Sequence, residues 1–164
     1  MKKREHLPML GVGPIYVCGI TLLTIAAVLA RKLAIFSSGE LKKIHIPLMV
    51  LGICLMILGV FIWIQAVVVS RVDDHIKKNY LTTTGIYAWV RHPIYAAFMI
   101  LCTGVLLMVG NAWFLILPFV YWLFMTVLMK NTEEKWLRRL YGQEYEVYCE
   151  RVNRCWPWPP KKNK

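Results

Sequence analysis

Arg91-His92-Pro93-Ile94-Tyr95 opens an apolar run that lasts to Val109. Only Gly110-Asn111 separates that run from a second, Ala112 to Met129, and Glu133-Glu134 stands just beyond it. Two apolar runs of near-spanning length joined by two residues must double back, because so short a connection leaves antiparallel neighbours as the natural solution. The reversal returns Glu133 to the side from which Arg91 and His92 set out. An Arg, a His, a Pro and several aromatics (Tyr87, Trp89, Tyr95) are thereby expected to face two carboxylates across one end of a helix pair.

Working outward, Ile46 to Val69 and Met9 to Ala30 are two further apolar runs, each long enough to cross a hydrocarbon core of about 30 Å as a helix. The chain is 58% hydrophobic and 18% charged, with a mean hydropathy of +0.50. The fold class expected is all-α: a polytopic membrane protein of about four transmembrane helices, with a C-terminal helical hairpin and a cytoplasmic amphipathic helix. Residues 1–164 are read as one membrane-embedded domain, with two spans and a connecting loop over 1–80 and a binding half over 81–157. Met9 to Ala30 exceeds a usual signal-peptide core and Arg31-Lys32 follows without a cleavage pattern, so it is read as a retained span.

The formal net charge of +11 does not point to nucleic acid, because the basic residues flank apolar runs instead of lining an aromatic-studded groove. Sixteen of the twenty Lys and Arg fall before the first run, between the second and third, or after the fourth. The positive-inside rule puts those segments, both termini and the polar clusters in the cytoplasm. Arg31, Lys32, Lys42 and Lys43 lie on the other side. The five cysteines show no paired spacing, so neither a disulfide framework nor a metal site is expected.

Local chemistry sharpens the picture. Thr82-Thr83-Thr84-Gly85 carries turn and capping residues. Pro93 suits the first turn of a helix, with His92 at its cap, and such a start presents bare N–H groups and partial positive charge. Gly52, Gly59 and Gly104 permit close helix approach. Gln65 is a lone polar residue in an apolar run, expected to find an interhelical hydrogen bond. Beyond Met129 an amphipathic helix is expected, with Trp136, Leu140, Val147 and Tyr148 on one face and a bend at Gly142. Cys155-Trp156-Pro157-Trp158-Pro159-Pro160 cannot be helical.

The ordered set Arg91-His92-Pro93-Ile94-Tyr95, hydrophobic hairpin, Glu133-Glu134 resembles the bipartite RHPxY…EE signature of the isoprenylcysteine carboxyl methyltransferase family. Thr84-Gly85-Ile86-Tyr87-Ala88-Trp89 before it agrees, as do Tyr141-Gly142-Gln143-Glu144-Tyr145, Tyr148 and Val152-Asn153-Arg154 after it. The similarity covers Leu81 to Pro157. It implies a membrane-embedded enzyme using S-adenosyl-L-methionine as cofactor and acting on a lipophilic small-molecule or lipidated substrate drawn from the bilayer. It also implies that Tyr87, Arg91, His92, Pro93, Ile94, Tyr95, Glu133 and Glu134 bind the cofactor, with Asn79, Leu81 and Thr82 as a further contacting segment. Substrate contacts are expected at Trp89 and around Met129 and Lys130. The family places an Arg where Met129 stands here, and Lys130 is the nearest cation.

Elementary chemistry suits that reading. The cofactor carries an ammonium, a carboxylate, a sulfonium and a flat adenine, which a Glu, a helix start with Arg, and Tyr rings can each engage. A carboxylate substrate, with a pKa of about 3.3 to 3.7, is already ionised at neutral pH, so no catalytic base is expected and His92 is read as a binding or ordering residue. A lipid amine acceptor would instead need to lose a proton, and thiols also stand open as acceptors. Two other classes compete: a membrane sterol-type reductase using a nicotinamide cofactor, and a non-enzymatic membrane protein on the same scaffold.

Overall fold

The computed structural model describes residues 11–70 and 80–161. All regular elements among them are helical, apart from two isolated bridges. Helix α1 is Gly13–Ala30, α2 is His45–Ile64, α3 is Pro93–Val109, α4 is Leu117–Asn131, α5 is Glu133–Tyr141 and α6 is Gln143–Arg151. Three helical runs are long and apolar enough to cross a membrane: Gly13–Ala30, Lys42–Val69 and Ala112–Tyr141, whose apolar part ends before Lys130. Helix α3, at 17 residues, is apolar but shorter.

Why α3 can be short follows from its place in the packing. It lies against α1, α2 and α4, and residues from Pro93 and Ala96 to Leu106 are buried along it. Surrounded by protein, it does not need its own full belt of lipid-facing side chains. Helices α1 and α2 instead expose apolar residues such as Leu22, Leu29, Ile46, Ile57 and Phe61, the pattern of surfaces whose solvent is hydrocarbon.

Spacing decides the core. Tyr16, Ile20, Thr24 and Ala27 recur every three or four residues on α1, and Tyr121, Met125 and Met129 every four on α4. These stripes meet Ala96, Met99 and Leu106 of α3 in one apolar cluster. Its polar atoms are partnered: Tyr16 donates its hydroxyl to the Tyr121 carbonyl (3.2 Å), and the Thr24 and Tyr121 hydroxyls meet at 2.9 Å. Helices α2 and α3 approach through glycine. A Cβ on Gly52 would stand 2.6 Å from the Gly104 carbonyl oxygen, and one on Gly104 would stand 2.6 Å from that of Gly52. A Cβ on Gly59 would stand 2.9 Å from the Ala97 carbonyl oxygen. The expected role of these three glycines is therefore met.

The chain runs out along α3, turns, and comes back along α4. The turn is longer than Gly110-Asn111 alone, since Ala112–Ile116 forms a 3-10 helix before α4 begins. Gly110 adopts φ +66°, and the buried Asn111 caps that segment by accepting from Trp113 N (3.0 Å) while donating to the Phe36 carbonyl (2.8 Å). At the end of α2, Gln65–Val69 is wound as a π-helical turn closed by Ser70, whose N and Oγ both donate to the Gln65 carbonyl.

Past α4 the expected single amphipathic face needs correction. Gly142, at φ +55°, divides the segment into α5 and α6 and resets the helical phase. Val147 is exposed, and Tyr145 takes its place, buried with Tyr148 against Leu81 and Val152. The Trp-Pro tail is non-helical, as its prolines require.

Candidate active site

Helix α3 starts at Pro93, in its first turn, with His92 at the cap. A 3-10 turn at Gly85–Ala88, entered at Gly85 with φ +62°, delivers the chain to that start. On the returning side, Thr132 (φ −125°, ψ −84°) breaks the continuity of α4 and α5, so that Glu133 and Glu134 begin a new helix. The two starts meet. His92 Nδ1 is 3.9 Å from Glu133 Oε1, and His92 Nε2 is 3.4 Å from Glu134 Oε1.

The adjacent glutamates have different surroundings. Glu134 is fully buried. Its Oε1 accepts from Arg91 Nη1 (2.9 Å) and Arg154 Nε (2.7 Å), and its Oε2 accepts from Arg154 Nη2 (3.0 Å), a two-pronged Arg–carboxylate pair with a second Arg added. Burial works against ionisation of this carboxyl, but the neighbouring His92, Arg154 and Arg91 outweigh it and hold the group well below the usual carboxylate range. Glu133 is partly exposed and accepts one hydrogen bond at Oε2, from the Tyr95 hydroxyl at 3.0 Å. Tyr95 in turn stacks beside the His92 ring, with centroids 5.9 Å apart. Gly11 and Gly13 of the chain entering α1 close over this pair: a Cβ on Gly13 would come within 2.8 Å of the Tyr95 hydroxyl.

The expected site residues divide accordingly. Arg91, His92, Pro93, Tyr95, Glu133 and Glu134 come together. Arg91 spends Nη1 on Glu134 and on Cys149 Sγ (2.9 Å), with its side chain 9% exposed. Arg91 Nε and His92 Nε2 are buried with no hydrogen-bond partner among the described residues. Ile94 is half-buried on the first turn of α3. Tyr87 is buried, and its carbonyl accepts from the Tyr148 hydroxyl (2.6 Å). Leu81 and Thr82 are buried, Leu81 beside Tyr145 and Tyr148. Asn79 lies outside the described residues. Met129 is fully buried in the apolar core, whereas Lys130 and Trp89 are exposed. A core position explains why a Met serves there: the side chain is engaged with other apolar groups and not with a polar ligand.

The C-terminal segment contributes more than its motif implied. Asn153 bridges to Val90 and its carbonyl accepts from Arg91 N (2.8 Å), while Trp158 N donates to the Trp89 carbonyl (3.1 Å). The tail thus straps the loop that leads into His92. Arg154 belongs to this strap. In sequence it closes the Val152-Asn153-Arg154 segment of the resemblance, but its pairing across 20 residues to Glu134 carries no local signature.

A helical chain with runs long and apolar enough to cross a membrane thus gathers a His, a Tyr and a partly exposed carboxylate at a helix start, at one end of its apolar bundle. The chain belongs to the phospholipid methyltransferase family, whose model matches residues 47–144. Among its relatives is the protein-S-isoprenylcysteine O-methyltransferase of Schizosaccharomyces pombe, 39% identical over 77 residues, which covers 46% of this chain and 32% of the relative. A probable protein-S-isoprenylcysteine O-methyltransferase of Oryza sativa subsp. indica is 31% identical over 115 residues, 65% of this chain and 60% of the relative. The Saccharomyces cerevisiae protein of that name is 33% identical over 84 residues, 51% and 33% respectively. The chain therefore spans between a third and three-fifths of the length of these curated relatives. The resemblance to isoprenylcysteine methyltransferases read from the ordered motifs is borne out. No solved structure matches.

Proposed function

We propose that this chain is an integral membrane methyltransferase that uses S-adenosyl-L-methionine to methylate a lipophilic acceptor, with carboxyl O-methylation of a prenylcysteine-like substrate as the leading reaction. The observation that carries the proposal is the meeting of Glu133, Tyr95 and His92 at the start of α3, beside a Glu134 already neutralised by two arginines. Four crossings, with α3 as the short inner one and α3 and α4 as a hairpin, put both termini and this site on the cytoplasmic side by the distribution of basic residues. The single domain and the cytoplasmic amphipathic segment α5 to α6 belong to the same reading.

The residues fit the cofactor. Glu133 is partly exposed and, with one hydrogen bond accepted, keeps acceptor capacity for an ammonium or a ribose hydroxyl. Tyr95 and Tyr87 offer rings, and the start of α3 offers N–H groups for a carboxylate, with Pro93 and Ile94 shaping that turn. Leu81 and Thr82 are further contacts in this reading, as is Asn79 by the resemblance alone. When bound, S-adenosyl-L-methionine supplies an electrophilic methyl group.

The protein's own part is alignment and exclusion of water. An ionised carboxylate acceptor needs no base, so His92, held between two glutamates and buried, orders Glu133 and Tyr95 and does not take a proton. Arg91 and Glu134 act by fixing this geometry. Lys130, exposed at the end of α4, and Trp89, exposed ahead of α3, are the substrate-side residues in this reading.

A second reading is favoured by two observations: the family model is that of phospholipid methyltransferases, and the position where the family has an Arg is held by a core methionine, Met129. An amine acceptor would then require His92 or Glu133 to accept a proton. The deciding experiment is labelled methyl transfer by the full chain in lipid nanodiscs, comparing farnesylcysteine analogues, lipid amines and thiols. Transfer to the farnesylcysteine carboxylate supports the leading reaction. Transfer to amines alone selects the second reading, and binding of no S-adenosyl-L-methionine by the wild type refutes both.

A further inference from the structure

We propose that Arg154, which is not among the residues the resemblance assigns to cofactor or substrate, is a positioning residue that sets Glu133 for cofactor binding by gripping Glu134. The inference rests on the methyltransferase reading above and deepens it.

The reasoning starts at the break at Thr132. Because α4 does not continue smoothly into α5, helix geometry alone does not dictate the direction in which the first turn of α5 presents its side chains. Something else must fix its rotation. Glu134 is the group that does so: it is fully buried, and three charge-assisted hydrogen bonds hold both of its oxygens. Two of the three come from Arg154, one to each oxygen, and a planar fork of this kind restrains rotation as well as distance. Arg91 makes only one of them and shares the same nitrogen with Cys149.

With Glu134 pinned inward, the preceding residue on the helix is turned toward Tyr95 and His92, where Glu133 is found. Arg154 is itself placed by the strap, since its neighbour Asn153 is bonded to the backbone of Arg91. One tail segment therefore ties together the approach to α3 and the start of α5. Charge points the same way. Arg91 and Arg154 more than neutralise Glu134, so Glu133 faces His92 as the one carboxylate in the group not already engaged by an arginine among the described residues.

The test uses the full chain in nanodiscs with labelled S-adenosyl-L-methionine as the probe, comparing wild type, Arg154→Gln and Arg154→Lys. The expected result is a rise of about tenfold or more in cofactor Kd and KM for Arg154→Gln, the scale on which lost supporting shells act. kcat at saturating cofactor should fall by much less. Arg154→Lys, which keeps the charge but loses the fork, should lie between. A purely structural role would lower Tm and the amount of active protein while leaving the KM of the folded fraction unchanged. Cofactor affinity within about twofold of wild type in folded Arg154→Gln, or in Arg154→Lys should the Gln variant not fold, overturns the proposal. Wild type that binds no cofactor fails at the earlier step and removes the methyltransferase reading with it.

Discussion

Substituting Glu134 with Ala should cost stability as well as the positioning of Glu133, whereas the same change at Glu133 should cost binding and leave stability nearly unchanged. In the wild type the Glu134 carboxylate is the shared acceptor for Arg91 Nη1, Arg154 Nε and Arg154 Nη2, at 2.9, 2.7 and 3.0 Å. Removing it leaves the Arg91 side chain, 9% exposed, without its counter-ion, while the Arg154 side chain, 23% exposed, has a path toward water. Breaking a buried pair by deleting one partner costs about 3–5 kcal/mol, and the escape open to Arg154 argues for the lower end. For a chain of this size that is a fall in Tm of roughly 6–12 °C. Glu133 loses one hydrogen bond on a partly exposed side chain, so Glu133→Ala should stay within about 1 kcal/mol of wild type. Thermal unfolding of detergent-solubilised protein, followed by tryptophan fluorescence, reads both. A Glu134→Ala protein that melts within about 2 °C of Glu133→Ala would refute the division of labour between these neighbours.

Acid should uncover the same cluster. The folded Glu134 carboxyl titrates well below its unfolded value of about 4.3, so its stabilising contribution is complete above that pH and lost as pH falls through the folded value. The stability gap between wild type and Glu134→Gln should therefore be constant near neutrality and narrow below about pH 4, as measured by urea titration across pH. Glu133→Gln should weaken S-adenosyl-L-methionine binding by about tenfold or more in an equilibrium binding assay, because a neutral amide loses the charge that favours an ammonium. Gly104→Val should destabilise by about 1–3 kcal/mol in the same unfolding assay, since its first added carbon meets the Gly52 carbonyl at 2.6 Å. Gly13→Ala should displace the Tyr95 ring from Glu133 and raise the cofactor KM, with little change in Tm, because the new methyl falls 2.8 Å from the Tyr95 hydroxyl at the site's edge.

Much of the architecture was legible in local signals. Pro93 can begin a helix but cannot continue one, which fixed the start of α3 and placed His92 at its cap. The three glycines announced the α2–α3 seam because only they lack the atom that would hold two backbones apart. Gly142 announced a break. What stayed hidden depended on phase and distance. A break resets the face a helix buries, so a single period drawn through Gly142 put Val147 inward where Tyr145 belongs. The same difficulty concealed which of two adjacent glutamates would be sealed by arginines, because the break at Thr132 decides it. Met129 looks like one more apolar residue from either side, and only its packing against α1 and α3 shows that it belongs to the core. Arg154 fell within a segment that carries the resemblance, but nothing local tied it to Glu134 until its fork on that carboxylate was seen.

The strap also imposes an order on biogenesis. Arg154 is translated 20 residues after Glu134, so the fork that pins the start of α5 can close only once the chain has passed the apolar run of α4. The geometry at the start of α5 is therefore completed by a segment that follows α4 in order of synthesis.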